Sequence, residues 1–371
     1  MTARISTYEL LRLRLASQSL ATERSDPRPC RSTVEVVDRL FALQGQDLPG
    51  VLWSLGLRSG DPRSAVEAAF DSGAVVRGWP FRGTLHVIAA RDLPWVLALT
   101  GRRTVAGAAK RHRDLGLDDG TFDKARTVAV EALHGGRSLS RRGLFAVFEQ
   151  HGIDTGSQRG SHLLWVLCLT GVLVLGPFAG GDQQVVLLDE WVREPRALGR
   201  EQGLVEIVVR YLAGRGPATE ADLAGWTKLP LGDLRQAIAD AGDTLTSLSC
   251  RGATYLAHAP TLDRLTAAQP RPVLMLPGFD ELLLGYADRS VSLASAHAPQ
   301  TAPGHNGMFR ATVVSRGRVV GLWSRRSTAA STVVRATAFD PPFPGTVVAG
   351  LRREVAAYGR YLGQRAELAA G

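Results

Sequence analysis

The sequence predicts an α+β protein of three tandem winged-helix units, followed by a small C-terminal β-rich domain with a terminal helix. Two observations predict this architecture. A pattern of short helices followed by a β-hairpin, which is the plan of a winged helix, occurs three times. The C-terminal segment is instead dominated by β-branched strand patterns. The predicted domains are 1–105, 106–195, 196–268 and 269–371.

The first unit shows the pattern most clearly. In TVEVVDRLFALQ (33–44), Val37, Leu40, Phe41 and Gln44 recur at i, i+3, i+4 and i+7, which predicts one helical face. A second helix is predicted from Leu48 to Leu57, and a third from an Asp61 cap with Pro62 to about Ser72. The following VVRGWPFRGTLHVIA, which is β-branched and interrupted by glycines and a proline, predicts a hairpin.

The later elements follow from the same signals. The second unit is predicted to hold helices Phe122–Leu133, Ser138–Gln150 and Ser157–Gly171 and a hairpin around Gly180-Gly181-Asp182. The third holds a helix ending at Gly214, one capped by Thr219, one over Pro230–Ala241, and a hairpin around Arg251-Gly252. The last domain holds a buried-type strand at PVLML, a hairpin around Arg316-Gly317, a strand in STVVRATAF and a helix from about Pro344 to Leu362.

Composition narrows the class of protein. The 371 residues carry a formal net charge of +9, which favours a polyanionic partner such as nucleic acid. The alternative is a merely arginine-rich composition, since only Lys110, Lys124 and Lys228 are lysines. The three cysteines are widely spaced, so neither a disulfide framework nor a metal site is predicted. No long apolar run or secretory signal is present, and we expect a cytoplasmic protein.

Two glutamines raise the question of function. If the chain becomes extended at Gly45, Gln44 and Gln46 face the same side, whereas a continued helix would separate them by roughly 200°. Asp47 would then cap the next helix. The alternative is that Gln44 caps the preceding helix and Gln46 is only solvated.

Four separated motifs carry a family resemblance. LQGQD (43–47), RGTLHVIAARD (82–92), PGFDELLLGYADRS (277–290) and NGMFRATVVSRGRVVGLW (306–323) together resemble the winged-helix DNA glycosylases, the AlkZ-like family that includes the YcaQ-type crosslink-repair enzymes. The resemblance implies a catalytic Gln–aliphatic–Gln motif, which Gln44 and Gln46 match. Gly45 stands where the family usually has a larger aliphatic residue, which leaves the chain between the two glutamines more flexible.

The resemblance implies a monofunctional glycosylase that hydrolyses the N-glycosidic bond of alkylated purines of the N7-alkylguanine type, including bulky adducts and interstrand crosslinks. The expected partner is lesion-containing double-stranded DNA, bound by a monomer that associates with the nucleoid. No cofactor or metal is expected. Two alternatives stay open: a non-catalytic tandem winged-helix DNA-binding protein or transcriptional regulator, and a catalytically inactive adduct binder.

Further residues are candidates for DNA binding. Strand alternation would place Arg82, Thr84 and His86 on one face of the first wing. The first residues of a helix have free N–H groups that bind phosphate, and the C-terminal hairpin carries several arginines. The remaining candidates are Arg141, Arg142, Ser157, Arg159, His162, Arg325 and Arg326. The alternatives to DNA contact are that these residues only cap their helices and that the arginines are only solvated. Asp280 and Glu281, taken as neighbours on one strand, would point in opposite directions, so no joint acid–base site is predicted.

Overall fold

A computed structural model describes residues 3–22, 30–265, 268–305, 307–328 and 330–369. Asn306, the first residue of the fourth motif, lies outside the described residues. In the first part of the chain the elements are β1 (Ala3–Arg4), α1 (Thr7–Ser17), β2 (Ala21–Thr22), α2 (Thr33–Leu40), β3 (Ala42–Gln44), α3 (Leu48–Ser59), α4 (Arg63–Asp71), β4 (Val75–Phe81), β5 (Thr84–Ala89), α5 (Leu93–Gly107), α6 (Ala109–Asp114), α7 (Asp119–Leu133), β6 (Leu139–Ser140), α8 (Arg141–Gln150), α9 (Arg159–Leu169), β7 (Leu173–Ala179), β8 (Asp182–Leu187) and α10 (Leu188–Trp191).

The remaining elements complete the chain. They are α11 (Arg200–Arg215), α12 (Glu220–Thr227), α13 (Leu231–Asp240), β9 (Leu245–Cys250), β10 (Ala253–His258), α14 (Ala259–Leu265), β11 (Gln269–Pro270), β12 (Val273–Leu276), α15 (Glu281–Leu284), α16 (Ala298–Thr301), β13 (Thr312–Ser315), β14 (Arg318–Ser327), β15 (Ser331–Ala338), α17 (Gly345–Leu362) and β16 (Arg365–Leu368).

The predicted hairpins form, with their turns where the sequence places them, and the predicted helices form with shifted ends, the first of them stopping at Leu40 rather than at Gln44. Gly180 and Gly181 have positive φ, as do the Arg-Gly turns at 251–252 and 316–317. The Thr219 side chain caps α12 in a reciprocal capping box. Elements without a counterpart among the predictions include α1, α5, α6, α14 and β16. The helix predicted to end at Gly214 continues to Arg215.

The chain divides into two compact units. Unit 1 comprises Met1–Val66 and Leu204–Gly371, and unit 2 comprises Glu67–Gly203. In unit 1, β12-β13-β14-β15-β16 form one sheet, which is antiparallel except for the β15–β16 pair, and β1-β9-β10 form another. Helix α17 packs on β12, where a Cβ on Gly350 would lie 2.3 Å from Val273.

Unit 2 is built around an antiparallel arrangement of β5-β4-β7-β8-β6. Its core combines apolar residues of α7, α8 and α9 with those of β7 and β8, including Leu133, Phe148, Leu163 and Val185. Among the described residues, no helix has the length and apolar character needed to cross a membrane.

Candidate functional site

The helix that leads into the glutamine motif ends before Gln44. Helix α2 stops at Leu40, and Phe41 adopts φ 64° and ψ −54°, a conformation that bulky residues rarely take. Strand β3 follows at once. The prediction of a helix through Gln44 is therefore wrong: Gln44 lies on a strand, with a side chain that is 5% exposed. We call residues 41–47 the glutamine corner.

Two buried side chains replace the hydrogen bonds that would have continued this helix. In an α-helix the N–H of Gln44 would donate to the carbonyl of Leu40. Here that N–H donates to Glu281 Oε1 at 2.7 Å, and Arg215 Nη1 donates to the Leu40 carbonyl at 2.6 Å. Arg215 Nη2 donates to the carbonyl of Ala42. One guanidinium thus holds the main chain on both sides of the turn.

Arg215 and Glu281 form a fully buried salt bridge. Glu281 Oε2 lies 2.8 Å from Arg215 Nη2 and accepts from Trp226 Nε1 at 3.0 Å. Arg215 is 0% exposed and Glu281 1%, and the guanidinium lies 4.3 Å from the centre of the Trp226 ring. Breaking such a pair leaves an uncompensated buried charge, which costs about 3–5 kcal/mol. The glutamine corner therefore depends on both charges.

The two amides of the corner bind each other. Gln44 Nε2 donates to Gln46 Oε1 at 2.6 Å, and the N–H of Gln46 donates to Gln44 Oε1 at 3.1 Å. Both amides therefore face the same side, as expected for an extended segment. The alternative in which Gln44 caps a helix does not apply, because the preceding helix ends at Leu40.

One of these amides is available to a bound molecule. Gln46 is exposed, whereas Gln44 and Gly45 are buried. Within the described residues, the Gln46 NH2 group makes no hydrogen bond. This NH2 group therefore offers two hydrogen-bond donors. The side-chain carbonyl oxygens of Gln44 and Gln46 each accept one hydrogen bond and can accept a second. The next residue, Asp47, occupies the N-cap position of α3 without a side-chain cap hydrogen bond.

Asp280 forms a second buried arginine pair. It accepts from both Nη groups of Arg58 at 2.9 Å each, and Ser54 Oγ donates to it at 2.8 Å. Asp280 is also the N-cap of α15, where it accepts from the N–H of Leu282. The expectation that Asp280 and Glu281 are neighbours on one strand is wrong, because the chain turns into a helix at this point. Asp280 thus anchors the helix that carries Glu281.

The first hairpin of unit 2 encloses one of its predicted site residues. Arg82 lies in the turn between β4 and β5 with φ 58°, so strand alternation does not apply to it. Its Nη2 lies 3.1 Å from His86 Nε2, and His86 Nδ1 lies 2.8 Å from the carbonyl of Thr84. His86 is 0% exposed, whereas Arg82 and Thr84 are half-buried. His86 therefore lies against Arg82 but is buried rather than exposed on the surface of the hairpin.

Arg159, at the start of α9, holds loops together. Its Nη1 donates to the carbonyls of Leu115 and Gly116, and its Nε lies 3.3 Å from Asp154 Oδ2. Helix α9 begins at Arg159 rather than at Ser157, which has φ 47°. The predicted phosphate ligand Arg159 thus already has anionic and carbonyl partners.

The neighbouring candidates differ in their surroundings. Arg141 donates to Ser161 Oγ, and Arg142 is exposed. His162 is half-buried, with its ring centre 5.3 Å from that of His112. Burial lowers the pKa of both histidines, and the charge of Arg111 lowers that of His162 further.

Arg325 and Arg326 are exposed on β14. They line a cavity of about 470 Å³ together with Ser324, Val333 and Arg335. Arg335 is also exposed and lies opposite Ser324 in the antiparallel register. Arg326 and Arg335 therefore share one face of the C-terminal sheet. Arg325, the neighbouring residue on β14, points to the other face, where its guanidinium lies 5.5 Å from the centre of the Tyr358 ring.

Sequence reasoning missed the side chains that hold the glutamine corner: Arg58, Arg215 and Trp226. A signal was available, because two acids interrupt the apolar run 273–284 and a buried carboxylate requires a cation or donors. Nothing local identifies which arginines supply them. The described residues contain no group of three or more His, Cys, Asp or Glu side chains that could hold a metal ion.

Comparison with known proteins identifies relatives across most of the chain. A family model described as DNA glycosylase AlkZ-like matches residues 37–361. The chain is 26% identical over 337 residues to the interstrand DNA cross-link repair glycosylase of Streptomyces sahachiroi, covering 86% of this chain and 87% of that protein. It is also similar to the solved structure of the Streptomyces sahachiroi DNA glycosylase AlkZ, with a TM-score of 0.78, 24% identity, and coverage of 99% of this chain and 100% of that one. The matched range spans the glutamine corner and the positions of Arg215 and Glu281.

Proposed function

Since the chain belongs to the AlkZ-like DNA glycosylase family, whose enzymes hydrolyse N-glycosyl bonds, we propose that it is a monofunctional glycosylase for alkylated purines. The proposed lesion is of the N7-alkylguanine type in double-stranded DNA. The observation that carries the proposal is the Gln44–Gln46 amide pair, exposed at Gln46 and held from behind by the buried Arg215–Glu281 pair.

The chemistry suits neutral amides. An N7-alkylguanine is already cationic, so it leaves as a neutral base when the C1′–N9 electron pair moves to the purine, and it needs no strong general acid. The oxygen of a water molecule bonds to C1′, and its proton passes to solvent. A glutamine carbonyl accepts a hydrogen bond from that water, and the Gln46 NH2 donates to the nucleotide. Dipoles fixed before the reaction need no reorganisation as charge develops on the sugar.

Crosslinks are included in the proposed substrate range. The Streptomyces sahachiroi relative is named an interstrand DNA cross-link repair glycosylase and aligns over 86% of this chain. The exposure of Gln46 supports the extension, because an amide at the surface does not require a bulky adduct to enter an enclosed pocket. Crosslink unhooking by this chain is therefore a proposal that stands beside removal of simple alkyl lesions.

We propose that DNA binds to a monomer built from winged-helix units at 1–105, 106–195 and 196–268 and a β-rich domain at 269–371. The hairpins β4–β5, β7–β8 and β9–β10 each follow a group of helices, which supports this reading. The net charge of +9 favours a polyanion. The exposed Arg326 and Arg335, which share one face of the C-terminal sheet, provide a surface that suits phosphate.

Base release tests the proposal directly. A labelled duplex with one N7-methylguanine is incubated with excess protein, abasic sites are cleaved with alkali, and the product is resolved on a gel. Gln44→Ala and Gln46→Ala are each expected to lower the single-turnover rate on the order of 10²-fold, as for other single preorganised hydrogen-bonding groups. Gln150→Ala, at the exposed end of α8, is the matched control and should release base at the wild-type rate.

The pattern of results separates the alternatives. Product that fades in both corner variants but not in Gln150→Ala supports catalysis at the glutamine corner. Product that persists in both corner variants moves the chemistry elsewhere in the chain. If the wild type releases no base from methylated or crosslinked duplexes but still binds DNA, the protein is a non-catalytic DNA binder.

A further inference from the structure

A cation-rich surface on α5 and α6 belongs to none of the predicted sites. Residues 102–114, which reach the end of α6, contain five Lys and Arg side chains and one acid, Asp114. All five are exposed: Arg102, Arg103, Lys110, Arg111 and Arg113. We call these five residues the α5–α6 basic surface. Between them lie small exposed residues, and a Cβ on Gly107 would meet no atom within 4 Å, so a partner can approach the backbone closely.

Most of these cations have no protein partner. In the part of the chain that the structure describes, Arg102, Arg103, Lys110 and Arg113 make no hydrogen bond or ion pair. The fifth, Arg111, donates to Gln158 Oε1 at 3.0 Å. Neighbouring like charges repel one another, so such a cluster is stabilised when an anion binds.

The surface is held in place from beneath. His112 is only 5% exposed, with its ring centre 5.2 Å from that of Phe122 and 5.9 Å from that of Trp165. The loop after α6 is tied down by Arg159, which donates to the carbonyls of Leu115 and Gly116. The cations are therefore displayed on fixed helices, which limits the ordering entropy that binding must overcome.

We propose that the α5–α6 basic surface binds the phosphate backbone of double-stranded DNA. The inference takes its partner from the proposed function and adds a sequence-independent contact region to it. From residue 102 to residue 113 the helices extend over at most about 16 Å. A duplex carries roughly ten phosphate charges over that length. Contacts of this kind fix position on the duplex without reading sequence.

Salt dependence of binding tests the surface. Affinity for an undamaged duplex is measured between 50 and 200 mM salt for the wild type, R102Q/R103Q and K110Q/R113Q, since each lost phosphate contact lowers the slope of log K against log salt by about 0.9. We expect each double variant to lose about one to two units of slope and roughly 5- to 30-fold in affinity at 150 mM salt. The matched control is R352Q/R353Q, which removes two adjacent exposed arginines from α17.

The controls make each outcome decisive. Thermal unfolding confirms that the variants are folded, and the second double variant serves if the first is not. An unchanged slope in a folded variant of the surface overturns the proposal, as does an equal loss in R352Q/R353Q. The proposal is also overturned if the variants lose as much affinity for anionic lipid vesicles or for single-stranded RNA of matched charge, because the surface would then bind any polyanion.

Base release by the wild type is assayed on the lesion duplex in parallel. Slope loss in the variants without base release by the wild type would keep the surface and remove the glycosylase proposal.

Discussion

Arg215 in unit 1 and Arg159 in unit 2 solve the same problem in different surroundings. Each holds a turn by donating to two main-chain carbonyls and pairs with a carboxylate. Arg215 is 0% exposed and its partner Glu281 is 1% exposed. The Arg159 side chain is 20% exposed, and that of its partner Asp154 is 71% exposed. The carbonyl contacts are alike, but only the first pair is removed from water.

The difference in burial between the two pairs matches the side chains that lie next to each turn. The buried pair holds neutral amides, whose alignment depends on a corner that stays fixed. The solvated pair holds a loop next to the α5–α6 basic surface, where long side chains adjust to phosphates individually. A buried ion pair gives a steep loss when one partner is removed, whereas a solvated pair contributes little. The predictions below test this contrast.

The largest effect is expected from Glu281→Gln. The amide removes the charge that balances Arg215, so the free energy of unfolding should fall by about 3–5 kcal/mol. Base release should fall at least as far as in Gln44→Ala, because the N–H of Gln44 loses its charged acceptor. Urea unfolding and the single-turnover assay at a temperature where the variant is folded provide the two measurements.

Asp154→Asn is the matched control for that change. It removes a carboxylate from an arginine in the same way, but at a position where the acid is mostly solvated. The free energy of unfolding should change by less than about 0.5 kcal/mol. Equal losses in Glu281→Gln and Asp154→Asn would show that burial does not distinguish the two pairs.

Sequence reasoning reached the parts of the molecule that local chemistry determines. The Arg251-Gly252 and Arg316-Gly317 turns follow from residues within the turn, and the cap of α12 follows from a threonine at its start, Thr219. The end of α2 could not be predicted in this way. It depends on Arg215 and Glu281, which lie 175 and 237 residues from the main-chain groups that they bind.

The same limit explains the candidate site. The two glutamines could be identified because they match a family motif, and their shared orientation could be predicted from an extended backbone. Arg159 looked like a phosphate ligand because it starts a helix, yet its partners come from the loop after α6. The cations of α5 and α6 were not among the candidates taken from the sequence. Their lack of partners can be established only in the folded chain.

A smaller effect is expected from Arg159→Gln. The variant loses three hydrogen bonds to main-chain carbonyls, those of Leu115, Gly116 and Asp154. Each contributes about 0.5–1.5 kcal/mol, and because two of the three are exposed to solvent the free energy of unfolding should fall by about 1.5–3 kcal/mol. The salt slope of duplex binding should change by less than in R102Q/R103Q, because Arg159 serves the loop. A larger slope change in Arg159→Gln would instead make Arg159 a phosphate ligand and reverse the assignment. Chemical unfolding and salt titration of duplex binding are the measurements.

The smallest effect concerns pH and separates the two units again. The corner amides do not titrate, whereas His112 and His162 in unit 2 have pKa values lowered by burial in the folded protein. As pH falls through the usual histidine pKa of about 6.5, the unfolded chain takes up protons before the folded chain does. Stability is therefore retained above that pH and declines below it.

Thermal unfolding between pH 7.5 and 5.5 should show this decline, and it should be shallower in His162→Asn, which removes one of the titrating rings. Because the His162 ring is only half-buried, we expect a shift smaller than that caused by Arg159→Gln. An identical pH slope in wild type and His162→Asn would show that the decline arises from other groups.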